Sequence, residues 1–270
     1  MKTGMIPLTL ILLALFNIVP AFAEDPRARA VMERVDARDD GDNQTAEMTM
    51  VLIDRRGKER IRKIASFARD FGEDTHKLMF FRHPADVKKT GFMTFDLDDP
   101  DRDDDQWLYL PALRKTKRIA SADKSGSFMG SDLNYSDMTR RNLDDFDFTF
   151  YPKKKEAAVR GHKVWLIDAV PRSKEVVAKT GYARQLLFVR QDNDLVVRSV
   201  LWEETAGMVK YMDARTVKKI DGIWVVTERT VTRKKNGQVV HRTILSLENV
   251  RFDQGLDPSM FSIRQLERGI

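Results

Sequence analysis

From residue 43 onward, apolar and polar residues alternate with a period of two, and this pattern constrains the fold more than any other feature. Met48, Met50 and Leu52, for example, are each separated by one residue. This period places successive side chains on opposite faces of a β-strand. The pairs Asp221-Gly222 and Asn236-Gly237 are residue types that accept the positive φ angles of tight hairpin loops. The pattern predicts one antiparallel meander of roughly ten to twelve strands.

Two segments depart from the alternation. Residues 25–40 have the apolar spacing of one amphipathic helix. Residues 121–143 are rich in Ser and Gly, and Ser131, Asp132 and Ser136 offer caps for a helix near Tyr135 to Asn142. Such a helical insert could form a lid over one face of the sheet or a plain connecting loop, and the sequence leaves both open.

The first 23 residues predict a secretory signal peptide. Lys2 precedes an apolar run that is too short to span a bilayer, and Ala21-Phe22-Ala23 has the small-x-small pattern of a cleavage site. Cleavage after Ala23 would leave residues 24–270, which contain no linker-like segment, as a single soluble domain in the periplasm. The absence of cysteine means that this domain cannot use disulfides for stability.

The charged residues exclude some classes of function and leave others open. The formal net charge is +6, with 33% charged residues. Export argues against nucleic acid as a partner, so the excess positive charge indicates either a solvated mixed-charge surface or weak attraction to anionic lipid headgroups. The acidic stretch Asp96–Asp105 could bind calcium or be a solvated turn.

No catalytic motif stands out. Without cysteine there is no thiol nucleophile, and no two of the four histidines have the i, i+4 spacing of a helical zinc site. Gly126–Gly130 lacks the central serine of a nucleophile elbow. We therefore expect no enzymatic activity, no resident metal and no cofactor.

Large apolar side chains form the strongest candidate site. The alternation suggests an inward face of the strands whose members could line an apolar cavity for a lipid or form ordinary core. The strand residues of this set are Met48, Met50, Leu52, Leu78, Phe80, Met93, Phe95, Trp107 and Tyr109. The insert adds Phe128, Met129 and Met138, which are suitable for the underside of a lid.

Several motifs resemble the LolA-like family of outer-membrane lipoprotein-sorting proteins, over nearly the whole chain after residue 23. They are WLYLPALRK at 107–115, SFMGSD at 127–132, DGIW at 221–224 and DPSMF at 257–261. The resemblance is nearer to an uncharacterised LolA-like branch than to the dedicated lipoprotein chaperone.

The resemblance implies a mainly β, LolA/LolB-like fold: a strongly curved antiparallel sheet, or incomplete β-barrel, with covering lid helices. It also implies a monomeric, non-catalytic carrier that holds lipid or lipoprotein acyl chains and transfers them between membranes. Its partners would be an inner-membrane exporter and an outer-membrane acceptor. Arg114 and Arg118 are candidates for the arginine latch that ties lid to sheet in the chaperone. A protein-binding or sensor module of the envelope on the same fold is the alternative.

Overall fold

The computed structural model describes residues 24–99 and 101–270, so the predicted signal peptide lies outside the described residues. Fourteen antiparallel strands form one sheet. Their bounds are β1 Asn43–Asp54, β2 Glu59–Phe71, β3 Asp74–His83, β4 Gly91–Asp96, β5 Asp105–Leu110, β6 Lys115–Arg118, β7 Phe146–Phe150, β8 Glu156–Val159, β9 His162–Pro171, β10 Tyr182–Arg190, β11 Val196–Glu203, β12 Met208–Ile220, β13 Ile223–Lys235 and β14 Gln238–Phe252.

The strands follow the order β6-β5-β4-β3-β2-β1-β14-β13-β12-β11-β10-β9-β7, with β8 paired only to β9. Within the described part of the chain, β6 and β7 do not pair with each other, so the sheet is open. The predicted mainly β fold, an antiparallel sheet that does not close, is therefore confirmed. The strand number exceeds the prediction, and β8 is one strand that the alternation did not reveal.

The predicted hairpin turns form where the sequence places them. Asp221 and Gly222 have φ angles of 49° and 90°, and Asn236 and Gly237 have φ angles of 48° and 82°. Two consecutive positive φ values match the right-handed twist of the flanking strands. These turns fix the register of β12, β13 and β14.

Among the described residues, three short α-helices accompany the sheet: α1 Pro26–Asp36, α2 Lys174–Thr180 and α3 Ile263–Arg268. The predicted N-terminal helix is present as α1. It begins after Asp25, whose side chain accepts a hydrogen bond from the Arg27 amide, and its buried Val31 and Met32 pack against β7. None of the helices among the described residues is long and apolar enough to cross a membrane.

Residues 121–143, called the lid segment from here on, cover one face of the sheet, which we call the inner face. The expected helix near Tyr135 to Asn142 is wrong, because this stretch contains only the 3₁₀ turn Tyr135–Met138 and becomes extended at Thr139. Asp137 accepts a hydrogen bond from the Asn134 amide at 2.7 Å. This bond belongs to a capping box that fixes the start of the 3₁₀ turn, and the extended backbone at Thr139 ends the turn after four residues. The lid is therefore irregular rather than helical.

The opposite, outer face carries α3 over β3, β4 and β5. Gly91 permits this packing, since a Cβ atom there would lie 2.6 Å from the Leu266 Cδ1 atom and 3.0 Å from its carbonyl oxygen. Leu266 is fully buried against Leu78, Phe80 and Met93. The C-terminal helix therefore completes a second core on the outer face.

Candidate functional site

Phe128 anchors the lid segment to the inner face. Its side chain is fully buried, and its ring centroid lies 4.8 Å from that of Phe92, 5.6 Å from that of Tyr135 and 6.3 Å from that of Phe81. Offset and edge-on aromatic pairs of this kind contribute about 0.5–1.5 kcal/mol beyond the burial of their area. The space between lid and strands β1–β5 is thus filled by lid side chains.

Many polar contacts attach the same segment, and three of them come from side chains of β2, β14 and β12. The Arg62 guanidinium on β2 donates a hydrogen bond to the Met129 carbonyl oxygen. The Thr243 hydroxyl on β14 donates to Asp132 Oδ2 at 2.7 Å. Lys210 Nζ on β12 donates to Asn134 Oδ1 at 2.7 Å. Side-chain bonds, rather than a sheet ladder, connect the lid to these three strands.

The structure separates the predicted cavity residues into two groups. Met48, Met50, Leu52, Phe128, Met129 and Met138 belong to the core between the inner face and the lid segment. Leu78, Phe80, Met93, Phe95, Trp107 and Tyr109 belong to the outer core under α3. The expectation of one common inward face fails for the second six, because β3, β4 and β5 present their other residues inward: Met79, Phe81, Phe92 and Leu108.

The two latch candidates lie away from the lid contacts. Arg118 pairs with Asp105, and Arg114 lies in the exposed turn between β5 and β6 with a φ angle of 48°. Among the described residues, neither side chain forms a hydrogen bond or ion pair with the lid segment. The arginines outside the lid segment that do bond to it are Arg62, which donates to the Met129 carbonyl oxygen, and Arg29, which donates to that of Leu143, and the sequence analysis missed both.

A cavity of about 230 Å³ lies beside this filled core, under the end of the lid segment and over β10–β13. Its apolar wall includes Phe146, Val197, Leu201 and Met212, and Met212 also packs against the core under the lid. The cavity is not apolar throughout, unlike the one expected. Its charged lining consists of the cations Lys124, Arg140, Arg141, Lys179, Arg198 and Arg229 and the carboxylates Asp104, Asp137 and Asp145.

Cations exceed carboxylates in this cavity, and among the described residues three of them, Lys124, Arg141 and Arg229, have no carboxylate at ion-pair distance. Lys124 instead donates a hydrogen bond to the Asp104 carbonyl oxygen at 2.7 Å. Arg198 pairs with Asp213 at 2.7 Å, and Lys179 pairs with Asp103 at 2.7 Å. The Arg141 guanidinium donates to the neutral amide oxygen of Gln185, at 2.7 Å, and has no carboxylate at ion-pair distance in the described part of the chain. The Arg229 side chain lines the cavity and forms no hydrogen bond or ion pair with any of the described residues. Burial lowers the pKa of both Arg141 and Arg229, and the nearby charge of Asp137 opposes that shift.

A buried polar network borders the cavity. Tyr182 donates its hydroxyl hydrogen to Asp137 Oδ2 at 2.8 Å, and Lys210 Nζ lies 3.1 Å from the Tyr182 oxygen. Burial raises the pKa of Asp137 and lowers the pKa of Lys210, while attraction between the two charges counteracts both shifts. Glu203 lies 3.5 Å from Lys210 and 2.7 Å from Arg233. The charge of Asp137 acts on Lys210 and also on Arg141 and Arg229.

The acidic stretch between β4 and β5 does not gather its carboxylates around one point. Asp103 faces Lys179 and Ser121, Asp105 faces Arg118, and Asp104 accepts a hydrogen bond from the Leu97 amide. In residues 24–99 and 101–270, no three acidic or histidine side chains are arranged to hold a metal ion. The stretch instead fastens the start of the lid segment and α2 to the edge of the sheet.

Comparison with known proteins identifies the family. A family model described as an uncharacterized protein matches residues 73–268, which is more than half of the chain. No match was found among curated proteins.

Three solved structures share the fold. A DUF1329 family protein from Desulfovibrio piger is 29% identical, with a TM-score of 0.81, and the alignment covers 90% of this chain and 99% of that one. A structure described as an outer membrane lipoprotein-sorting protein domain, from Vibrio parahaemolyticus, is 26% identical with a TM-score of 0.80 and the same coverage. A LolA superfamily protein from Nitrosomonas europaea is 12% identical with a TM-score of 0.65, covering 88% of this chain and 98% of that one. The chain therefore belongs to the LolA-like family.

Proposed function

We propose that this protein is a non-catalytic periplasmic carrier that binds the acyl chains of a lipid or lipoprotein on the inner face of its sheet. The observation that carries the proposal is the way the lid segment closes that face. Outside its own Ser127–Asn134 bridge, the lid forms no strand pairing among the described residues. It can move away without breaking any ladder of the sheet.

Lid movement would exchange one apolar occupant for another. In the closed form, Phe128 and its neighbours fill the space next to Met50, Leu52 and Phe92. An acyl chain that replaced them would bury comparable apolar surface, at about 0.8 kcal/mol per methylene. In the proposed cargo site, the strand residues Met48, Met50 and Leu52 hold the acyl chain. The lid residues Phe128, Met129 and Met138 leave that space when the lid opens and then cover the bound chain.

One rim of the sheet is suited to approach a membrane. The hairpins β1–β2, β3–β4, β5–β6 and β13–β14 all lie on this rim, because alternate turns of an antiparallel meander fall on the same side. Their cations are Arg55, Arg56, Lys58, Lys88, Lys89, Arg114, Lys115, Lys234 and Lys235. Leu113, at the tip of β5–β6, is 63% exposed. Basic groups near an anionic bilayer contribute about 1 kcal/mol each.

In this proposal the protein transfers its lipid or lipoprotein cargo between membranes, from an inner-membrane exporter to an outer-membrane component.

The test is native mass spectrometry of the protein purified from the periplasm, followed by lipid analysis of the denatured extract. One acyl-chain species per protein supports the carrier. An apo mass, even after incubation with envelope lipids, contradicts it.

A protein-binding envelope module is the second candidate, and the filled inner face favours it. In that case the Phe128 cluster is permanent core and the rim hairpins contact a partner protein. Stoichiometric recovery of one membrane protein with a lipid-free sample would support this reading.

A further inference from the structure

We propose that the cargo is an anionic amphiphile and that Arg141 and Arg229 bind the oxygen atoms of its phosphate or carboxylate group in the cavity over β10–β13. This inference rests on the proposed carrier function and adds the chemical class of the cargo to it.

The first support is the state of the two guanidinium groups. Both line the same cavity, and neither has a carboxylate at ion-pair distance within the described residues. Taking a charge out of water without a partner is expensive, so buried charges are normally paired. An anion bound between lid and sheet would supply the missing partner. Arginine is also the residue best suited to it, since its planar donors match the geometry of phosphate and carboxylate.

The second support is the surplus of positive charge in this interior. Asp137 is the main attractive charge for Arg141, Arg229 and Lys210. It already accepts hydrogen bonds from the Tyr182 hydroxyl and the Asn134 amide. Lys210 has a second carboxylate in Glu203, 3.5 Å away, whereas Arg141 and Arg229 depend mainly on the shared Asp137. A bound anionic group would supply the negative charge that the two guanidinium groups lack.

The third support is the position of the cavity between polar and apolar surroundings. Met212 lines it and also packs against the core beneath the lid. A headgroup held at Arg141 and Arg229 would direct its chain past Met212 toward the space that Phe128 fills. The cavity measures about 230 Å³, which is below the roughly 300–1,000 Å³ of pockets that enclose drug-sized ligands. It can hold the polar end of a lipid but not its chains, so chain binding requires the lid to open.

The experiment is calorimetric titration of the full-length exported protein with three probes at 0.15 M salt: octyl phosphate, octyl glucoside and inorganic phosphate. Arg141→Gln and Arg229→Gln are compared with Arg251→Gln, a matched control because Arg251 is exposed on β14. Thermal unfolding of each variant verifies that it folds.

We expect octyl phosphate to bind more tightly than octyl glucoside. We expect each cavity variant to lose about tenfold or more in affinity for octyl phosphate, as removal of a charge-assisted hydrogen bond does. Its affinity for octyl glucoside should stay unchanged, and the control should match the wild type for both.

Three other results overturn the inference in different ways. Equal binding of both octyl compounds, unaffected by the substitutions, would contradict an anionic headgroup but would still agree with the proposed carrier function. Inorganic phosphate binding as tightly as octyl phosphate would reduce the cavity to a free-anion site. If neither octyl compound nor any envelope lipid binds, the proposed carrier function itself is contradicted.

Discussion

The Arg62 guanidinium on β2 donates a hydrogen bond to the carbonyl oxygen of Met129, a lid residue in the left-handed region with a φ angle of 50°. That conformation is unfavourable for a residue with a side chain, by about 1–2 kcal/mol. A side-chain bond from the sheet thus helps to hold a strained turn of the lid. Because hydrogen bonds to charged groups contribute about 1.5–3 kcal/mol, this contact is one of those that determine how often the lid opens.

Arg62→Met should loosen the lid without unfolding the sheet, since methionine preserves much of the packing beside Phe81 but cannot donate. We expect amide hydrogen exchange at Phe128 and Ser131 to accelerate about tenfold or more, measured by mass spectrometry of peptides. Both amides are hydrogen-bonded within the lid, to Leu133 and Phe128 respectively.

Lys63→Met is the control, because Lys63 is exposed and alternates with Arg62 along β2. Equal exchange rates in wild type and Arg62→Met would mean that the bond to Met129 does not restrain the lid.

Phe128→Ala should increase affinity for a fluorescent fatty acid such as cis-parinaric acid. The closed lid competes with the ligand for one space, so weakening the closed form raises apparent affinity by the same factor. Loss of a buried aromatic side chain destabilises the state that buries it, here the closed lid, by about 3–5 kcal/mol. About 1.4 kcal/mol of this cost is enough to change the ligand affinity tenfold.

Trp107→Ala is the matched control, since Trp107 lies in the outer core beside Phe95, at a ring distance of 4.8 Å. It should lower stability but leave fatty acid affinity unchanged. If Trp107→Ala changes affinity and Phe128→Ala does not, the cargo binds on the outer face.

Much of this architecture is predictable from the sequence, but which strand residues face the lid and which face α3 is not. Alternation and the turns at Asp221-Gly222 and Asn236-Gly237 predict the meander. Alternation alone does not tell which of Phe80 and Phe81 points inward, because both are buried apolar residues. The choice depends on α3, whose packing over Gly91 is a contact distant in sequence.

The cationic residues of the inner face were missed for a related reason. Lys210 and Arg229 occupy positions on β12 and β13 that face the interior, in strands already rich in lysine and arginine. A charge at a core-facing position is a signal of a binding site. Recognising it requires the register of β12, which is shifted by irregularities between Ala214 and Val217.

Arg229→Met should stabilise the ligand-free protein, because it replaces a desolvated charge without an ion-pair partner by an apolar side chain of similar length. We expect a gain of roughly 1–2 kcal/mol in the free energy of unfolding, from urea denaturation of delipidated protein. Arg251→Met, at an exposed position, should change it by less than about 0.5 kcal/mol. A clear loss of stability in Arg229→Met would indicate that the guanidinium forms favourable contacts in the empty cavity.

The Asp103 carboxyl should make stability fall in acid. Partial burial disfavours its ionised form, but hydrogen bonds from Lys179 and Ser121 outweigh burial and lower its pKa from 3.8 to about 2. The folded state therefore binds this proton more weakly than the unfolded state. The stabilisation is complete above the ordinary pKa and is lost as the pH falls toward 2.

Asp103→Asn removes that dependence. In urea titrations, wild type should exceed the variant in stability at pH 6, and the difference should shrink steadily between pH 5 and pH 2. A difference that is constant with pH would show that the ion pair with Lys179 contributes nothing in solution.

Lys88→Glu with Lys89→Glu should weaken binding to anionic vesicles of phosphatidylglycerol and phosphatidylethanolamine by roughly tenfold or more, since both cations lie on the proposed membrane-facing rim. The control pair, Lys218→Glu with Lys219→Glu, makes the same charge change at exposed positions near the end of β12, on the rim opposite to the proposed membrane-facing one. Equal losses in a flotation assay would mean that overall charge, rather than the rim, determines binding.

The most direct test of a cargo site between sheet and lid is photo-crosslinking with a diazirine-bearing palmitate, followed by peptide mapping. We predict labelled peptides from β1, β12 and the lid segment, at or near Met48, Met212 and Phe128. Labelling confined to the outer core around Phe95 and Trp107, or no labelling above that of a denatured control, would contradict the proposed site.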